Sequence, residues 1–285
     1  MTVYPFSLAG CTLWLHLPKP ILVTENFYPF LGKGNEPLSE VVFREIDCLP
    51  DITTPPLFTN YAFSVHREGD SFLRRYHDRK ENDRPYAIGR REGSRVTVEY
   101  LAKDREFFSE SQNSFSHIGL EELLLTFDRL ILHASLVETP WGGLLFSGPP
   151  GIGKSTQAML WEQEEGAVQI NGDRPILSRD DGKWMAWGSP YAGSSRCFVN
   201  RGVSVRAVVM LDQGEENTLT RLSLSEAFRR IYAQTTVNAW NPDYVAKVCD
   251  LLTALAAEIP IYHLVCTPDK GAVEILRQEL QKGGG

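Results

Sequence analysis

One segment constrains this chain more than any other. Gly148-Pro149-Pro150-Gly151-Ile152-Gly153-Lys154-Ser155, followed by Thr156, stands between an apolar run at 144–146 and a helical pattern over Lys154–Glu165. A strand, a glycine-laced turn and a helix in that order bring backbone N–H groups together on phosphate oxygens, because glycine permits close approach of the chain. The helix adds unpaired N–H groups and the positive end of its dipole, both favouring an anion. On this reading Gly148, Pro149, Pro150, Gly151, Ile152, Gly153, Lys154, Ser155 and Thr156 bind ATP. Lys154 reaches the β- and γ-phosphates as a point charge, and the Ser155 hydroxyl sits on Mg2+. The alternative is a glycine-rich turn that binds nothing, and the flanking strand and helix argue against it.

The chain has 285 residues, 42% hydrophobic and 23% charged, enough for one large domain or two ordinary ones with a buried core. Lys and Arg number 29 against 36 Asp and Glu, a net charge of −7, which argues against a nucleic-acid binder with its basic stripe. No apolar run approaches ~18 residues, so no membrane span is expected. Cys11, Cys48, Cys197, Cys249 and Cys266 are odd in number and lack a CxxC spacing. That points away from a disulfide framework or a zinc site and toward a reducing cytoplasm. Leu8-Ala9-Gly10-Cys11 has the form of a lipoprotein cleavage site, but what precedes it is uncharged and too short for a signal.

Residues 1–112 break into short apolar pieces with turn chemistry between them. Residues 12–17 alternate and stop at Pro18 and Pro20; Pro50, Pro55 and Pro56 interrupt the next stretch; 95–100 alternates β-branched with polar residues. Gly69-Asp70, Gly89 and Glu92-Gly93 read as hairpin turns. A smaller, mostly β N-terminal domain is expected over 1–112. Within it Arg74, Arg75, Arg79, Lys80, Arg84, Arg90, Arg91 and Arg95 lie among four acids, Asp78, Glu81, Asp83 and Glu92. They form either a solvated hairpin face or a docking surface for an acidic peptide or a phosphate.

Residues 113–285 read as an α/β layer domain. The pattern predicts a helix over 120–132, strands at 134–138 and 144–146 around a Pro140-Trp141-Gly142-Gly143 turn, and the helix Lys154–Glu165 with Gly166 as its stop. There follow a strand over 167–171, a hairpin about Asp180-Asp181-Gly182-Lys183 and a buried strand over 206–212. Ser223 with Glu226 caps one helix and Asn241-Pro242 another; after a strand at Ile261–Cys266, Thr267-Pro268 opens the last helix. The C-terminal Gly283-Gly284-Gly285 is the sole low-complexity tract.

A phosphate loop of this kind needs an acid to help hold Mg2+, and two strand endings offer one, Asp212 after 208–211 and Asp173 after 168–171. Either could instead be a surface turn aspartate. In the small-residue stretch 193–201, Arg196 and Arg201 could stabilise charge on a transferred phosphoryl group or be plain loop arginines. Trp184, Trp187, Trp240 and Tyr244 offer rings for an adenine, with core packing the commoner role.

His133-Ala134-Ser135, a hairpin, the strand at 143–147, the glycine loop and a strand running into Asn171-Gly172-Asp173-Arg174 resemble the catalytic domain of the HPr kinase/phosphorylase family. That family is related in fold to phosphoenolpyruvate carboxykinases. Pro190 and the strand ending Leu211-Asp212 extend the likeness, which spans about residues 118–282 and leaves the N-terminal region unmatched. The chain looks more like the HPr-kinase-related proteins, some of which sit in peptide-modification gene sets and phosphorylate a serine. The resemblance implies a P-loop catalytic domain with a mixed sheet. In the family a tandem Asp-Asp lies where Gly172-Asp173 lies here; one acid serves as base for the accepting hydroxyl, and acids there help place the metal. The histidine matching His133 supports that acid, and an arginine further on binds phosphate. The resemblance thus favours Asp173 over Asp212, as base and as a metal ligand with Ser155. With it go catalytic parts for His133, Lys154 and Arg196. Gly172 replaces one acid, which speaks against bifunctional kinase/phosphorylase behaviour.

The expectation is a cytoplasmic kinase, dependent on ATP and Mg2+, acting on a serine or threonine of a small protein or peptide that the N-terminal domain recognises. A small-molecule hydroxyl kinase of the same fold and a nucleotide-binding scaffold without transfer are the alternatives. No nucleic-acid partner is expected, and the resemblance allows a homo-oligomer.

Overall fold

The computed structural model describes residues 1–81 and 83–282; Gly283-Gly284-Gly285 lie outside the described residues, as does the side chain of Arg79. The fold is mixed α/β with two mixed sheets, in two compact units, Met1–Phe127 and Asp128–Gly285.

In the first unit, alternation becomes strand because one face of each segment is buried. The strands are β1 (Thr2–Leu8), β2 (Cys11–Leu17), β3 (Ser39–Ile46), β4 (Pro56–Thr59), β5 (Phe63–Glu68), β6 (Ser71–Asp78), β7 (Arg84–Glu92) and β8 (Arg95–Leu101). β2 shows the logic, burying Cys11, Leu13, Leu15 and Leu17 and leaving the residues between them half-buried. The sheet order is β1-β2-β3-β8-β7-β6-β5-β4. β3 runs parallel to β2 and β8, and β4 to β8 form an antiparallel meander. Gly69 and Gly93 turn two of its hairpins with φ of 62° and 60°. Gly89 makes no turn: it lies inside β7, where a Cβ would stand 3.3 Å from the His117 carbonyl oxygen, so glycine here admits a neighbouring segment.

Helices α1 (Ser111–Phe115) and α2 (Leu120–Thr126) belong to this unit. The Phe115 ring packs 4.9 Å from Phe6 and 4.6 Å from Phe27. The Tyr76 hydroxyl donates to the His117 carbonyl at 2.9 Å. These contacts put the division after Phe127, later than the 112/113 boundary expected. The helix expected over 120–132 ends at Thr126, because Asp128 turns left-handed (φ 59°) and Arg129–Ile131 finds a strand partner instead. Part of the basic run is ion-paired within the unit. Arg74 is buried against Glu121 and Glu122, Arg84 pairs with Asp104 at 2.7 Å, and Arg90 with Glu68 at 2.7 Å and Glu99 at 2.8 Å. These pairs take Arg74, Arg84 and Arg90 out of any docking surface for an anion and suit the hairpin-face reading for those three residues.

The second unit comprises β9 (Arg129–Ile131), β10 (Ala134–Thr139), β11 (Gly142–Ser147), α3 (Lys154–Glu165), β12 (Val168–Asn171), β13 (Ile176–Asp180), β14 (Lys183–Trp187), β15 (Gly202–Gln213), β16 (Thr218–Arg221), α4 (Leu224–Tyr232), α5 (Pro242–Glu258), β17 (Ile261–Cys266) and α6 (Lys270–Lys282). The long β15 organises the sheet, pairing in parallel with β11 and β17 and antiparallel with β14. Val209 and Leu211 of β15 share a core with Phe146 of β11, Trp161 of α3, Leu264 of β17 and Leu276 of α6. The intervening Val208 and Met210 are buried on the opposite face, and Asp212 on that face meets Arg230 of α4. The capping signals act as read: Ser223 Oγ accepts from Glu226 N, and Asn241 Oδ1 from Tyr244 N at 3.1 Å. The last helix starts later than expected, at Lys270, with Asp269 Oδ1 accepting from Gly271 N at 2.8 Å. Among the described residues no helix is long and apolar enough to cross a membrane.

Candidate functional site

Three parallel strands, β11, β15 and β17, lead into the site. β11 ends at Ser147, the chain turns through 148–153, and α3 begins at Lys154. Gly153 at the helix start has φ of 114°, a conformation that costs a side-chain-bearing residue free energy, although its surroundings are open. Gly148 is held by contact as well, since a Cβ would stand 3.2 Å from the Leu211 carbonyl oxygen.

Lys154 is buried, and its Nζ donates to the carbonyls of Gly148 at 3.0 Å and Pro149 at 3.1 Å. Burial holds its ammonium below the ordinary lysine pKa, and the nearby Asp173 carboxylate opposes that shift. Ser155 is exposed on the first turn of α3, and Thr156 is half-buried.

Asp173 follows β12. Its N–H donates to Asn171 Oδ1 at 3.1 Å, as does Arg174 N at 2.8 Å, so a buried asparagine fixes the turn. Asp173 Oδ1 lies 3.2 Å from His133 Nε2, and Oδ2 lies 3.4 Å from Arg174 Nε. The backbone reinforces the pair: Ala134 N donates to the Asp173 carbonyl at 3.0 Å, and Ser147 Oγ to the His133 carbonyl at 2.8 Å. The second ring nitrogen of His133, Nδ1, lies 3.2 Å from Gln234 Oε1. Burial, then the Lys154 charge, hold this imidazole below its ordinary pKa, against the opposing pull of Asp173 and Gln234.

Gly172 is walled in. A Cβ there would stand 1.7 Å from Ser195 Oγ and 2.7 Å from the Ala192 carbonyl oxygen. The same turn, 193–195, lies against Asp173 and ends in exposed Arg196, which is left-handed at φ 54°. Arg201 ion-pairs with Glu138. Asp212 is engaged elsewhere, by His263 Nε2 at 2.7 Å and Arg230 Nη1 at 3.1 Å. Despite burial, these partners keep its carboxyl below its ordinary pKa.

The structure thus brings His133 and Asp173 together, within electrostatic reach of Lys154. It adds two residues that the sequence reading did not single out, Arg174 and Gln234. The signal for Arg174 was its place beside Asp173. Gln234 has none in the sequence, because only the fold returns the end of α4 to His133. Loop amides, an ammonium, a hydroxyl and one carboxylate suit phosphate oxygens and a hard cation that shares them. Among the described residues no group of three or more His, Cys, Asp or Glu could hold a metal on its own.

Beyond the loop lies a cavity of about 380 Å3, lined by residues that include Gly151, Thr156, Gln157, Gln213, Cys266 and Thr267. Trp184, Trp187, Trp240 and Tyr244 are not among its lining. Trp184 donates from its indole to Glu258, Trp187 to Ser178, and the Tyr244 hydroxyl to the Thr236 carbonyl.

No family model matches the chain. No curated protein matches it either. Among solved structures, the Hpr(Ser) kinase/phosphatase from Coxiella burnetii matches with 13% identity and a TM-score of 0.34, over 54% of this chain and 99% of that one. A likeness of that extent leaves the site to be argued from this chain's own residues.

Proposed function

We propose that this protein is a kinase that uses ATP and Mg2+ to phosphorylate a hydroxyl, that of a serine or threonine in a small protein or peptide. The observation that supports this reading is the His133–Asp173 pair, 3.2 Å apart and beside the lysine of an anion-suited loop. Lys154 and the amides of 148–156 hold the phosphates. Ser155 and Asp173 would hold Mg2+ together with the phosphates, and the ion would supply charge neutralisation there. Arg196, on the turn against Asp173, stabilises charge on the transferred group.

Asp173 takes the proton of the acceptor hydroxyl as its oxygen bonds to the γ-phosphorus. The bond from that phosphorus to the β–γ bridging oxygen breaks, and ADP leaves. Gln234 serves His133 in both states. With its amide nitrogen on Nδ1, the imidazole donates from Nε2 to the ionised acid. With Oε1 on Nδ1–H, the orientation seen here, Nε2 accepts from the protonated acid. The test is transfer of labelled phosphate from ATP to serine and threonine peptides by the full chain. Lys154→Ala is expected to lose nucleotide binding; binding equal to that of the unsubstituted chain would remove the loop from the site.

A second reading, nucleotide binding without transfer, is favoured by Gly172 alone. The space a second acid would need is filled by Ser195 and Ala192, leaving one carboxylate for base and metal. Nucleotide binding lost in Lys154→Ala, with no transfer to any hydroxyl, would select this reading.

A further inference from the structure

Gln157 has a polar end that the phosphate loop does not satisfy. Its side chain is 2% exposed. Nε2 donates to Cys266 Sγ at 3.3 Å, and Oε1 is buried without a hydrogen-bond partner. Reversing the amide would let the thiol donate to Oε1, but the amide nitrogen would then be the unpaired end. Either way one end of a buried amide is unmatched, a cost of about 1–3 kcal/mol. The residue also stands out along α3. Lys154, Gln157, Ala158 and Trp161 share its buried face, where position 157 would ordinarily be apolar.

Gln157 and Cys266 both line the cavity beyond the loop. Its volume, about 380 Å3, falls within the ~300–1,000 Å3 of small-molecule sites. The cavity is lined by Gly151–Gly153 and Thr156 on the loop side, by Gln213 and Gly214, and by the end of β17. His133 and Asp173 are not part of its lining. A phosphate chain anchored at Lys154 therefore has two different ends. With the terminal phosphate toward Asp173, whatever the phosphates carry would enter the cavity on the Gln157 side.

We propose that this cavity receives the nucleoside of the bound nucleotide. Gln157 recognises it through a hydrogen bond to a ribose hydroxyl or to the polar edge of the base. The inference rests on the loop being a phosphate site, and the experiment separates the two claims. Binding of ATP, dATP, GTP and inorganic tripolyphosphate to the full chain is measured by calorimetry, for the unsubstituted protein and for Gln157→Leu. Tripolyphosphate reports the loop alone.

ATP is expected to bind at least about tenfold more tightly than tripolyphosphate. Gln157→Leu is expected to weaken ATP about tenfold and leave tripolyphosphate unchanged. If the substitution also erases a preference over dATP, the contact is to the ribose; if it erases one over GTP, the contact is to the base. Equal binding of ATP and tripolyphosphate by the unsubstituted chain would overturn the proposal, and so would unchanged ATP affinity in the variant. Loss of all binding, tripolyphosphate included, would instead strike the loop. Cys266 gives a second readout needing no variant: alkylation followed by peptide mass spectrometry should show it shielded by ATP and not by tripolyphosphate. Equal modification under both would count against the proposal.

Discussion

Asp173 Oδ1 lies 3.2 Å from a ring nitrogen of His133, and Oδ2 lies 3.4 Å from Arg174, so one carboxylate faces two basic groups. Asp173→Asn keeps the shape and removes the basicity. If Asp173 is the base, phosphoryl transfer should fall about 10²- to 10⁴-fold while ATP affinity measured without Mg2+ changes little, as read by steady-state rates and direct binding. A rate within threefold of the original would exclude it. His133 carries a pH prediction. Burial and the Lys154 charge hold its pKa below the ordinary 6.5, so its neutral form persists to lower pH than a free imidazole's. If neutral His133 is required, the acid limb of kcat/KM lies on the acid side of 6.5. Gln234 pulls the other way, so Gln234→Leu should move that limb to still lower pH, and a shift upward would contradict the assignment. At Gly172 the prediction concerns shape. Gly172→Asp must displace Ser195 and Ala192, so the expected result is lost stability of about 1–3 kcal/mol in denaturant unfolding, with reduced transfer, and no gain from a second acid.

At the scale of single elements, helix α3 was readable end to end because its signals are local: a glycine loop before it, and Gly166 after it in the left-handed region at φ 64°. Nothing stands within 4 Å of a Cβ at Gly166, so Gly166→Ala isolates the backbone term. It should cost about 1–2 kcal/mol in thermal or denaturant unfolding. The segment 120–132 shows where local reading stops. Its apolar spacing suits one helix, but 129–131 pairs with β13, a partner far along the chain. The basic run at 74–95 shows the same limit, since Glu121 and Glu122, which neutralise Arg74, lie on α2. This pairing is testable. Glu122 is pushed up by burial, with Arg74 opposing the shift. Arg74→Ala leaves an uncompensated buried charge and should cost about 3–5 kcal/mol at neutral pH. Because a raised carboxyl pKa favours the protonated folded form, acidification should narrow the gap to the unsubstituted chain. A gap constant from pH 7 to pH 5 would show that Glu122 is not the stranded charge.

Across the whole molecule, what could be read beforehand tracks the sequence distance between interacting groups. The glycine loop declares itself within one stretch of chain. Joining His133 to Asp173 required the spacing of a family resemblance. Gln234 against His133, and Gln157 against Cys266, come together only through the return of α4 and the parallel pairing of β15 with β17. The candidate site is therefore held by the closure of the second unit's sheet rather than by any one segment, and ligand should stabilise it accordingly. A ligand at a hundred times its Kd adds about 2.7 kcal/mol to the state that binds it, equivalent to about a hundredfold slowing of amide exchange by globally opening segments. With ATP in that excess, amides of β11, α3 and β17 should slow together toward that limit, because one sheet carries both the phosphate loop and the cavity wall. Inorganic tripolyphosphate at the same saturation should slow them equally if opening is global. It should slow β11 and α3 but spare the end of β17 if opening there is local. Lys154→Ala should remove the effect of either ligand at these concentrations, and protection by ATP that survives in this variant would place the nucleotide somewhere other than this loop.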